Sequence, residues 1–336
     1  MCIYIMILFI IFILCTPFIT SFTIKYNYNV PFIAEIHNLN VNKLSTNDIE
    51  DLNFFFKSTP VLIFKNQILT PTQHYEFCKL FDKQHTNNIV HPFKDTLIPE
   101  CPQIALRGKG YINDVFGVKD TFIQNGQSFR YNRVWHQDLV GCKNNLPTKI
   151  SSMYMLKVPE KGGSTLFASL ENGYDNLCRS HNKFKYLNLK CCYSSYHSLN
   201  AFMDYTGYNR IDKYWSNNIE NLKQLKNEVI IQPLVVYPDA KSRRKTLMLS
   251  PNKFYSFFGI DPEKSQEILR EICSQYIFRS DNIGTIAYKK NDLIIFNNRK
   301  VIHTSTPTEE IEGDRLFSLL YLDTKESYKP IHLRFD

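Results

Sequence analysis

In the stretch VWHQDLVG, residues 134–141, His136 and Asp138 stand two positions apart. On a β-strand that spacing puts both side chains on one face, where an imidazole and a carboxylate can share a metal ion. With nine histidines in 336 residues such a pair arises readily by chance, so a third ligand must be found elsewhere. His303 has the informative setting. It closes a strand-like run in NDLIIFNNRKVIHTSTP (291–307), after turn signals at Asn291-Asp292 and Asn297-Asn298. Two histidines and one carboxylate form the facial ligand set of non-haem Fe(II) oxygenases, which leaves three positions of an octahedron open. Those positions can take a bidentate 2-oxo acid and then O2. The far carboxylate of such an acid needs a buried cation. Arg315, twelve residues after His303 at the entry to the apolar run RLFSLLYLDT, is placed to supply one.

A second pair, His74 and Glu76, fails the same test. It lies in TPTQHYEFCKLFDK (70–83), whose capping Thr70, Pro71 and apolar spacing (Phe77, Leu80, Phe81) predict a helix. Two residues apart on a helix is a rotation of about 200°, so the two side chains diverge.

The elements that must position these residues are mostly strands. An early helix over 46–58, capped by Thr46, presents Ile49, Leu52, Phe55 and Phe56, and a short buried strand follows at 61–66. From about residue 103 short strands dominate, interrupted by helical segments at 171–181, 216–227 and 261–279. The pattern predicts a mainly β fold with flanking helices, a sandwich or barrel in preference to a parallel βαβ sheet. The polar and aromatic stretch 197–228 reads as an insertion between strands, either a lid over the site or a packed surface excursion.

Composition narrows the function classes. The net charge of +8 comes from 40 basic and 32 acidic residues spread along the chain. It predicts a solvated basic surface that would welcome a small anionic substrate, with no nucleic-acid partner. None of the nine cysteines forms C-x-x-C, so a zinc ribbon, a thioredoxin motif and a disulfide scaffold are all disfavoured. Residues 2–22 are almost uninterrupted apolar sequence, a signal peptide or a membrane anchor. They predict secretory-pathway entry or membrane association, with any membrane contact made through that segment. Residues 23–30 then read as a short linker and 326–336 as a C-terminal tail. Composition leaves a homo-oligomer open.

Taken in order and spacing, several stretches together resemble the taurine dioxygenase family of Fe(II)/2-oxoglutarate oxygenases. They are VLIFKNQILTPTQHYEFCKLF (61–81), VWHQD, EKGGSTLFASLENGYDNL (160–177), QPLVVYPDAKSRRKTLMLSPNKF (232–254) and NDLIIFNNRKVIHTSTP followed by GDRLF. The resemblance spans about residues 31–325, the expected domain. It implies a double-stranded β-helix, the cupin-like jelly roll, using Fe(II), 2-oxoglutarate as co-substrate and O2. It further implies that His136, Asp138 and His303 hold the iron. Thr165 would hydrogen-bond the far carboxylate of 2-oxoglutarate and Arg315 would pair with it, while Gly162 and Gly163 make the turn before Thr165. His91 and Asn132 match substrate contacts.

One departure matters. Taurine enzymes carry a second arginine, four residues after the one that grips 2-oxoglutarate, which holds the sulfonate; here that position is Leu319. Taurine is therefore disfavoured unless a cation arrives from elsewhere, such as Lys143 or Arg133. The expected activity is hydroxylation of a small organic substrate, with fragmentation where the hydroxyl lands beside a heteroatom. Two alternatives share the barrel: a protein or nucleic-acid hydroxylase or demethylase, and a non-catalytic ligand-binding module. A zinc hydrolase would need an acid-base glutamate beside the ligands, and none stands there.

Overall fold

A computed structural model of the chain describes residues 21–27, 30–123, 135–140, 147–194, 229–239, 241–306, 311–325 and 329–330. Most of the apolar stretch 2–22, the proposed insertion 197–228 and Asn132, Arg133 and Lys143 lie outside them. Among the described residues no helix is long and apolar enough to cross a membrane.

The strands, in chain order, are β1 (Thr23–Tyr26), β2 (Ile33–His37), β3 (Val61–Phe64), β4 (Leu97–Ile98), β5 (Cys101–Val115), β6 (Val118–Ile123), β7 (Ile150–Lys157), β8 (Thr165–Ser169) and β9 (Lys190–Ser194). They continue as β10 (Val229–Pro233), β11 (Val235–Tyr237), β12 (Thr246–Leu247), β13 (Phe254–Phe257), β14 (Ile283–Ile286), β15 (Leu293–Asn297), β16 (Val301–Ser305), β17 (Arg315–Leu322) and β18 (Lys329–Pro330). The large sheet runs β1-β2-β3-β15-β7-β17-β5-β4, with β6 on β5, and a smaller one runs β14-β8-β16. Among the described residues only β2 and β3 pair in parallel. These two sheets form the double-stranded β-helix expected of the sequence.

Period-two alternation divides the apolar residues among three layers. Along β15, Ile294 and Phe296 face the space between the sheets, while Leu293 and Ile295 join the outer core. Along β17, Phe317, Leu319 and Tyr321 face inward and Leu316, Leu320 and Leu322 outward. Phe167 of β8 joins the inner layer, and its neighbours Leu166 and Ala168 the layer beyond the small sheet. Because both faces are covered, these strands read in sequence as continuous apolar runs, and the face each residue takes could not be read locally.

The helices α1 (Thr46–Ser58) and α2 (Pro71–Lys79) cover the outer face of the large sheet. The cap of α1 is Ser45 and not Thr46: its hydroxyl accepts from the Asp48 amide while the Asp48 carboxylate accepts from the Ser45 amide, a capping box. The stretch 23–30, expected as a linker, carries β1, which pairs antiparallel with β2. This edge strand exposes most of its side chains, so no apolar alternation marked it. Phe22 is buried against α1, with its ring 6.3 Å from Phe55.

The rejected His74-Glu76 pair behaves as its helix requires. His74 is fully buried, with Nε2 2.8 Å from Ser152 Oγ and Nδ1 3.1 Å from Ser318 Oγ. Ser152 donates its own hydrogen to the Ile294 carbonyl, so it accepts from Nε2–H and Nδ1 is left to accept from Ser318. Burial pushes this imidazole down to about 3. In the unfolded chain it takes up a proton near pH 6.5 and in the fold it does not, so stability present above pH 6.5 is lost progressively as pH falls towards 3. Urea unfolding between pH 6 and 4 should lose about 1.4 kcal/mol per pH unit to this residue. His74→Gln should flatten the slope by that amount, and an unchanged slope would mean His74 is protonated in the folded protein.

Candidate metal and 2-oxo acid site

His136 and His303 meet as directly opposed residues of an antiparallel bridge that extends the edge of β16. The His136 amide donates to the His303 carbonyl at 2.9 Å, and the His303 amide donates back at 3.0 Å. Opposed residues share a face, and the two rings stand 4.3 Å apart between centroids. Trp135, pointing the other way, is buried against Phe278 beyond the small sheet. His303 is held between Phe167, stacked at 5.6 Å, and Phe296, edge-on at 4.9 Å.

Asp138 is held from the turn between β15 and β16. Asn298 Oδ1 accepts from the Asp138 amide at 2.8 Å, and Asn298 Nδ2 donates to the carbonyls of Asp138 and Thr148, both at 3.0 Å. Gln137, between the ligand pair, donates to the Asn298 carbonyl at 2.7 Å, and its amide donates to Ser250 Oγ. The NNRK turn thus carries His303 on its outgoing strand and clamps Asp138 through its own side chain. Asn298 is a positioning residue that sequence reading took for turn chemistry alone. Leu139 follows with φ 57°, a left-handed turn that lets the chain leave once Asp138 has been presented.

Three donor atoms converge: Asp138 Oδ1 lies 3.6 Å from His136 Nε2 and 3.7 Å from His303 Nε2. Among the described residues these three form the one group of histidine, cysteine and carboxylate side chains able to hold a metal ion, with all donors within 4.8 Å of one another. Asp138 Oδ2 is buried without a hydrogen bond. Burial raises the Asp138 carboxyl above its ordinary range, opposed by His136, Ser151, Tyr321 and His91. Burial, with help from His136, drives His303 far down. Mutually close donors of this kind, two of them buried, are costly without a cation, and a dication held by all three would relieve that cost. The donor set fits a first-row divalent metal.

Arg315 enters β17 beside this centre. It is 2% exposed, no described carboxylate pairs with it, and its Nε lacks a hydrogen-bond partner. Burial lowers the guanidinium, and the nearby Tyr288 opposes it. Thr165, buried on β8, and the Tyr288 hydroxyl lie together with it; burial pushes that phenol up to about 12, with Thr165 and Arg315 opposing. Gly163 has φ 71°, and a Cβ there would come within 3.2 Å of Arg315 Cδ and 2.7 Å of Pro159. The expected glycine turn is therefore also a spacing device that leaves room for the guanidinium. Tyr288 carried no signal in the sequence beyond its place just before a strand.

His91 is 4% exposed, stacked on Tyr321 at 4.7 Å, and accepts at Nδ1 from the Phe93 amide. Its Nε2 therefore carries the ring hydrogen and makes no hydrogen bond of acceptable geometry. Burial first, then Arg107, pushes this imidazole down to about 4, while Asp138 and the Leu319 backbone oppose them. His91 thus belongs to the wall of the same space. Leu319 is buried on that wall.

A family model described as taurine catabolism dioxygenase TauD, TfdA family matches residues 26–320. An alpha-ketoglutarate-dependent xanthine dioxygenase of Schizosaccharomyces pombe is 27% identical over 143 residues, 39% of this chain, and the match spans only 33% of that relative. A crystal structure of a taurine dioxygenase from Burkholderia xenovorans superposes with a TM-score of 0.67 at 18% identity, covering 94% of each chain. The structure of AAD-2 in complex with Mn(II) and N-oxalylglycine superposes with a TM-score of 0.61 at 18% identity, covering 91% of this chain and 99% of that one.

Proposed function

We propose that this chain, which belongs to the taurine catabolism dioxygenase TauD, TfdA family, is an Fe(II)- and 2-oxoglutarate-dependent dioxygenase that hydroxylates a small organic substrate. The observation that carries this is the convergence of two imidazole nitrogens and one carboxylate oxygen beside a buried arginine with no carboxylate partner among the described residues. Fe(II) held by His136, Asp138 and His303, with 2-oxoglutarate and O2, supplies the oxidising chemistry that yields succinate, carbon dioxide and a hydroxylated product.

The protein's own residues select and orient. The forked guanidinium of Arg315 pairs with the far carboxylate of 2-oxoglutarate, and its burial makes that charge pairing strong. Thr165 donates its hydroxyl to the same carboxylate, and Tyr288 closes the cradle on its other side. Asn298 keeps Asp138 aimed at the centre. Phe167, Phe296 and Met153 line the space with apolar surface that keeps bulk water out. His91 offers Nε2–H to the substrate, and Asn132 is assigned a second contact from its place in the motif. Leu319 cannot pair with a sulfonate, so the position that grips taurine in taurine enzymes supplies no charge here, and taurine is disfavoured unless a cation comes from elsewhere. Where hydroxylation falls next to nitrogen or sulfur, the product breaks down to an aldehyde and a released amine or sulfite.

The test is anaerobic titration of the Fe(II)-loaded chain with 2-oxoglutarate, followed by a substrate screen in air for succinate release. The expected result is a weak visible charge-transfer band, then succinate formation stimulated by small molecules and not by peptides or oligonucleotides. A folded protein that binds Fe(II) but gives no band with 2-oxoglutarate would overturn the assignment in favour of a non-catalytic barrel.

A further inference from the structure

The inner face of the large sheet carries a second arginine that motif reading passed over. Antiparallel register sets Arg107 of β5 opposite Phe317 of β17, and Phe317 opposite Met155 of β7. Paired residues share a face, and Phe317 and Met155 both belong to the layer between the sheets. Arg107 therefore points inward. Two residues along β5, the small Ala105 pairs with Leu319. The Arg107 guanidinium carbon sits 3.7 Å from the centre of the Phe93 ring. Phe93 is 5.2 Å from His91, His91 is stacked on Tyr321, and Tyr321 bears on Asp138. One continuous wall thus leads from the metal ligands to Arg107.

Within this wall Arg107 has a cation–π contact with Phe93 but no ion pair and no hydrogen bond to any described residue. It is only partly exposed to solvent. A guanidinium withdrawn from water without an anion is costly, and an aromatic face recovers only part of the loss. What is missing is a negative charge, and His91, 5.2 Å from Phe93 on the same wall, brings a second donor in Nε2–H.

Resting on the dioxygenase function proposed above, we propose that Arg107 is the substrate-specifying cation, and that the substrate is a small organic anion with a carboxylate or sulfonate head. Its head group accepts from the Arg107 fork, with His91 as a second donor, and its body lies along Phe93 and Tyr321 towards the metal. The charge that β17 lacks at Leu319 is supplied from the neighbouring strand, so the head group approaches from the β5 side.

The experiment is calorimetric, with the full chain loaded anaerobically with Fe(II) and 2-oxoglutarate. Small carboxylic and sulfonic acids are titrated beside the neutral amides of the same skeletons, xanthine and taurine included. Wild type should bind at least one acid more tightly than its amide. Arg107→Met should weaken that acid about 30-fold or more while keeping the Fe(II)–2-oxoglutarate band, and Arg107→Lys should restore part of the loss. A wild type in which no acid outbinds its amide overturns the proposal. So does an acid that binds Arg107→Met, or Arg107→Lys should the methionine variant fail to fold, as tightly as wild type and with the same preference over its amide. No band even in wild type points instead to failure of the dioxygenase assignment.

Discussion

Asp138→Asn is expected to abolish substrate-coupled succinate formation, a loss of at least about 10³-fold, while making the metal-free protein more stable. Both effects come from one atom arrangement. Asp138 is 5% exposed, with Oδ2 lacking a hydrogen bond and Oδ1 facing the His136 and His303 imidazoles, the second of which burial keeps neutral. In the absence of a cation its charge is a net cost, since burial outweighs the opposing His136, Ser151, Tyr321 and His91, as the raised carboxyl indicates. At neutral pH that cost is present in the fold, and it disappears below the ordinary carboxyl range where the unfolded chain is protonated too. The asparagine keeps the shape and the Asn298 contacts, which run through the backbone, and removes the charge. Thermal melts with and without Fe(II) read the trade directly. Wild type should gain stability from the metal, and Asp138→Asn should start higher and gain little. A variant stabilised by the metal as much as wild type would remove Asp138 from the ligand set. His303→Ala should lose turnover equally, but it opens a cavity between Phe167 and Phe296, so its metal-free stability should fall.

Arg315→Met should raise the 2-oxoglutarate concentration needed for half-maximal turnover by about 10²-fold or more. Metal binding, measured by the same melts, should be unaffected. The size follows from burial: a fork of donors withdrawn from water, with no carboxylate partner among the described residues, gains a full charge-assisted pair when the co-substrate arrives. Lysine at this position keeps the charge but offers a single point donor, so Arg315→Lys should recover only part of the affinity. Thr165→Ala, which removes one hydrogen bond to a charged group, should cost less than Arg315→Met, about 10-fold. Steady-state kinetics with 2-oxoglutarate varied at saturating Fe(II) gives the ranking. A Thr165→Ala loss larger than that of Arg315→Met would mean the far carboxylate is not where the guanidinium points. Gly163 bears on the same measurement, because any side chain there presses on Arg315 Cδ.

Much of this was legible because the relevant physics is local. An H-x-D on a strand places two ligands on one face whatever the rest of the chain does, and a helix sends His74 and Glu76 apart for the same kind of reason. The turn before His303 and the arginine opening an apolar strand are likewise short-range patterns, whereas Thr165 and the glycine pair before it are marked only by the family resemblance. Caps are local too, although Ser45 and Thr46 compete for one helix start and only the Asp48 carboxylate reaching back decides between them.

What the sequence could not determine is which distant residues face one another. Register between strands far apart in the chain is fixed by which apolar faces pack, and strands covered on both sides carry no alternation to reveal it. Only the fold pairs His136 with His303, turns Asn298 from a turn residue into the clamp of Asp138, and brings Tyr288 to Thr165 and Arg315. Arg107 is the clearest case. In sequence it is one basic residue in a run of short strands, and the cation missing at Leu319 was sought near the H-x-D, at Arg133 and Lys143. The sheet supplies one instead from β5, because antiparallel pairing sets residues 107 and 317 side by side on the inner face. The ligand types and their local geometry were determined by sequence; the shape and charge of the space around them were decided by long-range register.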